Sequence, residues 1–227
     1  FKVCLVGYTN AGKSTLLNSL TDADVFVEDR LFATLDTRTR KWIPDKGIEV
    51  LLSDTVGFVR DLPHQLVASF KATLEEAVNA DLLLHVVDVS NDQVLNQIES
   101  VNKVLDEIGC RGHPILKVLN KIDAISKPGQ LDLLQHLYPD ALCVSARTGL
   151  GLDELARVVA ERCKGAEVLL RVQTTQSNGK IRSFLQRYGT IVNEYYADSA
   201  VLIDARLGRN QLAGLRRLQP EAIEIID

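Results

Sequence analysis

The 227-residue chain contains no methionine, not even a first one, and its opening residues Phe1-Lys2-Val3-Cys4-Leu5-Val6 already read as a buried strand. Natural chains rarely begin inside their core sheet, so a further segment is expected upstream, and no signal peptide can be read. The chain also lacks an apolar run of the roughly 18 residues that a membrane helix needs. Its longest such run, around Ala80 to Val89, holds Asp81, His85 and Asp88, so no membrane span is expected. Cys4, Cys110, Cys143 and Cys163 form no C-x-x-C pair, and no His/Cys spacing suits zinc. Reduced thiols in a cytoplasmic protein are the expectation. Nor is there a surplus of basic charge: 26 Lys and Arg stand against 30 Asp and Glu. The surface as a whole does not attract nucleic acid, and any such contact must use local patches. Internal repeats and low-complexity segments are missing too.

What is present supports a folded core, since 46% of the residues are hydrophobic. Strand-like runs at Lys2–Val6, Thr39–Ile43, Glu49–Ser53, Leu82–Val89, Ile115–Leu119 and Ala141–Val144 alternate with helical spacing at Lys13–Leu20, Gln65–Asn79, Val94–Ile108, Leu131–Leu137 and Leu152–Cys163. Four of the strand runs are nearly continuous in apolar character, as parallel strands covered on both faces are. Pro44-Asp45-Lys46-Gly47 reads as a turn that folds the second run onto the third. The pattern predicts an α/β fold with a six-stranded, mostly parallel sheet and helices on both faces. Beyond Lys164-Gly165 come strands at Val168–Gln173, Thr190–Tyr196, Ser199–Ala205 and Ala222–Ile226, with helices at Lys180–Arg187 and Gln211–Leu218. Residues 1–165 are therefore expected to form one domain and residues 166–227 a small C-terminal α+β domain.

Gly7-Tyr8-Thr9-Asn10-Ala11-Gly12-Lys13-Ser14 matches G-x-x-x-x-G-K-[ST] between the first strand and the first helix, with Thr15 next. Its glycines let backbone N–H groups close on phosphate oxygens at a helix N-terminus. Lys13 supplies a point charge for the β- and γ-phosphates, and the Ser14 hydroxyl suits Mg²⁺. Asn120-Lys121-Ile122-Asp123 follows the fifth strand, at the edge where open parallel sheets bind ligands. A carboxylate at Asp123 can accept from guanine N1–H and N2–H₂ together, a donor pair that adenine lacks. Ser145-Ala146-Arg147 would form a third wall of that pocket. Asp54-Thr55-Val56-Gly57 completes the set, with Asp54 placed to reach Mg²⁺ through water and Gly57 to present its N–H to a γ-phosphate. A threonine that closes over the metal is still needed, and spacing leaves Thr34, Thr37 and Thr39 open.

Together these segments resemble a translation-factor-class GTPase of the Ras-like P-loop fold. The wording Gly7–Ser14, Leu31-Phe32-Ala33-Thr34-Leu35-Asp36, Asp54–Phe58 and Leu62–Leu74 resembles the HflX family of the Obg–HflX group, closely over residues 2–165 and loosely beyond. The resemblance implies Thr34 as the switch threonine, with Phe32, Ala33, Leu35 and Asp36 around the nucleotide. It also implies Lys13, Thr34 and Gly57 in catalysis, and Ser14, Thr34 and Asp54 as metal ligands. Thr37 departs from the usual proline. Such proteins are described as binding GTP and GDP and acting on the large ribosomal subunit to rescue or split ribosomes. Their N-terminal domain precedes the GTPase domain, so a chain starting at Phe1 is expected to bind the subunit more weakly.

Where many Ras-like GTPases have a water-orienting glutamine, this chain has Phe58, which predicts slow intrinsic hydrolysis that the ribosome accelerates. Asn10 occupies the position shared with GTPases that use K⁺ in place of an arginine finger; a loop-stabilising amide is the other reading. His64 reads as a solvated loop residue rather than a base, and His85 as a hydrogen-bonded core residue. Basic residues gather at Arg38, Arg40 and Lys41, at Lys180, Arg182 and Arg187, and at Arg206, Arg209, Arg216 and Arg217. Each group is a solvated face or a set of rRNA phosphate contacts. The alternative function is a P-loop kinase for a nucleotide or small molecule, which would have no use for Asn120–Asp123.

Overall fold

The computed structural model describes residues 1–21, 38–55, 57, 75–127, 129–197 and 200–226. They divide into two compact units, residues 1–43 with 49–155 and residues 44–48 with 156–227.

The first unit is built on β1 (Lys2–Gly7), α1 (Lys13–Thr21), β2 (Arg38–Asp45), β3 (Ile48–Asp54), β4 (Leu82–Asp88), α2 (Val94–Glu107), β5 (Ile115–Asn120), α3 (Gln130–Leu137), β6 (Leu142–Cys143) and the start of α4 (Leu152–Lys164). The sheet runs β2-β3-β1-β4-β5-β6, with β1 parallel to β3 and β4, β4 parallel to β5, and β5 parallel to β6. In β4, Leu82 through Val87 are buried without alternation, because both faces of the strand are covered. Val94, Ile98, Val101 and Leu105 of α2 recur at helical spacing and are all buried. They pack into cores that include Cys4, Val6 and Leu83 on one side and Val87, Val89 and Leu119 on the other.

Two details differ from the expected pattern. β2 runs through Pro44 to Asp45, and the turn is Lys46-Gly47 alone, with Gly47 at φ +85°. Proline is tolerated because β2 is an edge strand and one side of its ladder needs no donor. A two-residue connection can only join antiparallel strands, and Lys41 pairs with Glu49 at 2.8 Å across it. β6 shrinks to two residues, although the Val144 N–H still reaches the Leu119 carbonyl at 2.8 Å. The helix expected at Gln65–Asn79 lies outside the described residues except for a helical turn at 75–78.

The second unit adds β7 (Glu167–Thr175), α5 (Gly179–Tyr188), β8 (Gly189–Ala197), β9 (Ala200–Gly208), α6 (Leu212–Arg217) and β10 (Ala222–Ile225). Its sheet runs β10-β7-β9-β8 and every pair is antiparallel, the split β-α-β arrangement. Burial alternates along β7, and Val168, Leu170 and Val172 pack with Ile181 and Leu185 of α5 and Leu215 of α6.

Candidate nucleotide site

Because β1, β3, β5 and β6 all point the same way, the loops after Gly7, Asp54, Asn120 and Cys143 emerge at one rim of the sheet. The loop from Gly7 to Gly12 is held by backbone that other residues could not follow. Gly7 has φ +153°, and an added Cβ would run into the Val86 carbonyl; Gly12 has φ +95°, and its Cβ would run into the Asn120 side-chain amide. Lys13, only 6% exposed, donates to the Gly7 and Tyr8 carbonyls at 3.2 and 3.0 Å. Burial pulls its ammonium down to about 8, against the opposing pull of the Asp54 charge. Phosphate oxygens in the loop would replace the two carbonyls and favour the charged form further.

Ser14, second in α1, donates to the Asp54 carboxylate at 2.6 Å, with Asp54 fully buried at the end of β3. A hydroxyl and a carboxylate oxygen held together are hard donors of the kind Mg²⁺ takes alongside phosphates and water. Among the described residues no cluster of three His, Cys, Asp or Glu side chains offers a different metal site. Gly57 lies against the phosphate loop: a Cβ there would meet Thr9 Cα at 2.8 Å and Lys13 Nζ at 3.1 Å. Thr55 is buried and donates its hydroxyl to the Leu5 carbonyl at 2.7 Å, tying β3 to β1.

The base-side loops are joined to the phosphate loop through two side chains, Asn120 and Lys121. Asn120, 1% exposed, donates from Nδ2 to the Ala11 carbonyl at 2.9 Å and accepts from the Ala146 N–H at 3.0 Å. Lys121, in the left-handed region at φ +66°, donates to the Asn10 carbonyl at 2.8 Å and to the Asp88 carboxylate at 2.7 Å. Asn10 is itself left-handed at φ +60°, with its side chain exposed. Ser145 donates to Asp123 at 2.6 Å, leaving that exposed carboxylate with a fixed orientation. Ile122 packs toward the core beside α2 and α3, while Arg147 is exposed. Ser19 of α1 donates to the Ala146 carbonyl at 2.7 Å, a further stitch between the phosphate loop's helix and the 145–147 loop.

Phe32, Ala33, Thr34, Leu35, Asp36, Val56, Phe58 and His64 lie outside the described residues. Of the remaining expected residues, Lys13, Ser14, Asp54, Gly57, Asn120, Lys121, Asp123, Ser145 and Ala146 lie in or directly beside the loops at that rim. Asp88 was not anticipated, although it ends β4 and sets the position of Lys121; an acid at the carboxyl end of a parallel strand was the available signal. His85 is buried as expected, but its Nδ1 has no hydrogen-bond partner among the described residues.

A phosphate loop, a hydroxyl–carboxylate pair and an N-K-x-D loop on one rim of this sheet define a P-loop GTPase. Residues 2–121 match the model of the family described as 50S ribosome-binding GTPase. The chain belongs to that family, in its HflX branch. It is 43% identical over 213 residues to the GTPase HflX of Lacrimispora saccharolytica, covering 93% of this chain and 49% of that protein. It is 41% identical over 228 residues to the GTPase HflX of Escherichia coli, covering 99% of this chain and 53% of that protein. The chain thus spans about half the length of these relatives. Among solved structures, a GTP-binding protein from Sulfolobus solfataricus in complex with GDP aligns with TM-score 0.57 and 34% identity, over 70% of this chain and 50% of that one.

Proposed function

We propose that the chain binds GTP and GDP, hydrolyses GTP to GDP and phosphate, and works as a switch associated with the large ribosomal subunit. The observation that carries this reading is the double use of Asn120, which fixes the phosphate loop and the 145–147 loop to the strand that presents Asp123. Residues 1–165 act as the GTP-binding domain and residues 166–227 as its small C-terminal companion, in the cytoplasm. Gly7 to Thr15 wrap the phosphates, and residues 32–36 and 54–57 contribute to nucleotide binding beside them. Asp123 reads the guanine edge, aided by Asn120, Lys121 and Ile122, with Ser145, Ala146 and Arg147 as the wall behind it. Ser14, Asp54 and Thr34 would hold Mg²⁺, which would supply charge neutralisation of the phosphates. Lys13 and the Gly57 N–H meet charge developing on the γ-phosphate. With Phe58 unable to orient water, turnover by the chain alone is slow, and the ribosome raises it. Asn10 is the residue beside which K⁺ would contribute.

Displacement of fluorescent GDP tests the core of this reading. GTP and GDP should displace it and ATP should not, and Asp123→Asn should move the preference toward xanthine nucleotides. Equal displacement by ATP would overturn guanine recognition. Co-sedimentation with large ribosomal subunits, expected with a GTP analogue and weaker with GDP, tests the partner. Equal hydrolysis in KCl and NaCl would remove the role of K⁺.

A further inference from the structure

The second unit presents two unlike faces. On the sheet face away from the helices, Arg171 is paired with Asp204 at 2.7 Å and lies opposite Glu224 of β10. On the helical side, segments 176–188 and 209–219 carry six basic residues and no acidic one, in a chain whose net charge is −4. One of the six, Arg182, is held by Glu194 at 2.9 Å. Lys180, Arg187, Arg216 and Arg217 are exposed.

Two of them, Lys180 and Arg187, line an open groove of about 660 Å³ together with Phe184, Tyr188 and Leu218, among others. Phe184 and Tyr188 stack obliquely with centroids 4.5 Å apart, and the Arg187 guanidinium lies 5.2 Å from the Tyr188 ring centre. Gly214 lets α6 approach α5 closely, since a Cβ there would meet the Phe184 ring at 3.0 Å. That approach brings Leu218, directly after Arg216 and Arg217, to the groove. Cations flanking a half-buried aromatic pair match the chemistry of a single-stranded nucleic acid, whose phosphates need neutralising and whose bases stack on any π-face. An apolar helix from a protein partner would leave the four cations without counter-charge.

We propose that this helical face binds single-stranded or looped RNA. Lys180, Arg187, Arg216 and Arg217 neutralise backbone phosphates, and a base enters the groove against Phe184 and Tyr188. The proposal deepens the ribosome-association reading, on which it rests for the source of the RNA.

The test is fluorescence anisotropy of the whole chain with a labelled single-stranded RNA of roughly 20 nucleotides across a KCl series. At roughly 0.7 per neutralised phosphate, four contacts give a log–log salt slope of about −3. Arg216→Gln with Arg217→Gln, and separately Lys180→Gln with Arg187→Gln, should each flatten the slope by about 1.4 and weaken low-salt binding roughly tenfold. No saturable binding at low salt, or unchanged slopes in both variants, would overturn the assignment. So would displacement of the RNA by polyglutamate, which would mark an acidic protein as the occupant. Fluorescent GDP binding measured on the same samples separates the two readings. RNA failure with GDP intact sinks only this surface, whereas loss of GDP binding in the unmodified chain sinks the nucleotide site.

Discussion

The two units place their buried polar groups differently. Among the described residues, the first unit buries Lys13, Ser53, Asp54, Thr55, His85, Asn120 and Ser145, whereas the second buries Thr174 and Asp204. Most of the first group sit at the carboxyl ends of parallel strands and bond to the backbone or side chains of other loops. Cohesion in the second unit comes from one apolar cluster between a sheet face and two helices, with its charges outside. Interior polar groups are costly unless paired, so they persist where they hold loops in a geometry that apolar packing could not specify. A parallel sheet gathers its loops at one rim and makes such pairing useful. The antiparallel sheet sends successive connections to opposite ends, and what it offers is a surface.

The sharpest way to break this contrast is to remove one buried polar residue from the first unit and one apolar residue from the second. Asn120→Ala leaves the Ala11 carbonyl and the Ala146 N–H without their side-chain partner. At about 1–3 kcal/mol for each orphaned group, GDP affinity should fall about 100-fold, read by fluorescent-nucleotide titration. Leu185→Ala empties a fully buried position in the second unit's cluster and should cost about 3 kcal/mol in denaturant unfolding. GDP affinity should stay within twofold of the parent chain. Comparable loss of GDP binding in both variants would mean that the two units do not divide the work as described.

The same contrast explains what could be read from the sequence. The stretch from β1 through Gly7–Ser14 to α1 was legible because its strand, glycines and helix are adjacent, and each has a local physical reason. The strand ends at Asp54 and Asn120 were legible because long apolar runs stop there. The partners of those residues were not. Asn120 meets Ala11 across 109 positions, and nothing near Asp88 announces that it will hold Lys121. Pro44 reads as a turn residue until the strand carrying it proves to be an edge. In the second unit the alternation along Val168, Leu170 and Val172 announces strands, but the order β10-β7-β9-β8 depends on pairing between segments far apart in the chain. His85 was read as hydrogen-bonded because most buried polar atoms are, and its Nδ1 is an exception.

That exception yields the smallest effect at neutral pH and the one most sensitive to conditions. His85 lies in β4 beside Val6 of β1 and Lys117 of β5. Burial, followed by the charges of Lys117 and Lys13, lowers its imidazole from the ordinary 6.5 to about 3. The folded chain therefore keeps it neutral through the range where the unfolded chain protonates it. Between about 6.5 and 3 the unfolded state binds more protons, so His85 makes stability fall as pH falls and has no such effect above 6.5. Leucine is close in volume and brings no polar atom into a site where Nδ1 has no partner. His85→Leu should then raise unfolding stability by about 1 kcal/mol at pH 7. The gain should widen at pH 5, where the parent chain alone bears the protonation penalty. Thermal unfolding of both chains at the two pH values reads this directly. Equal gains at both would show that the imidazole is not the group that opposes folding in acid.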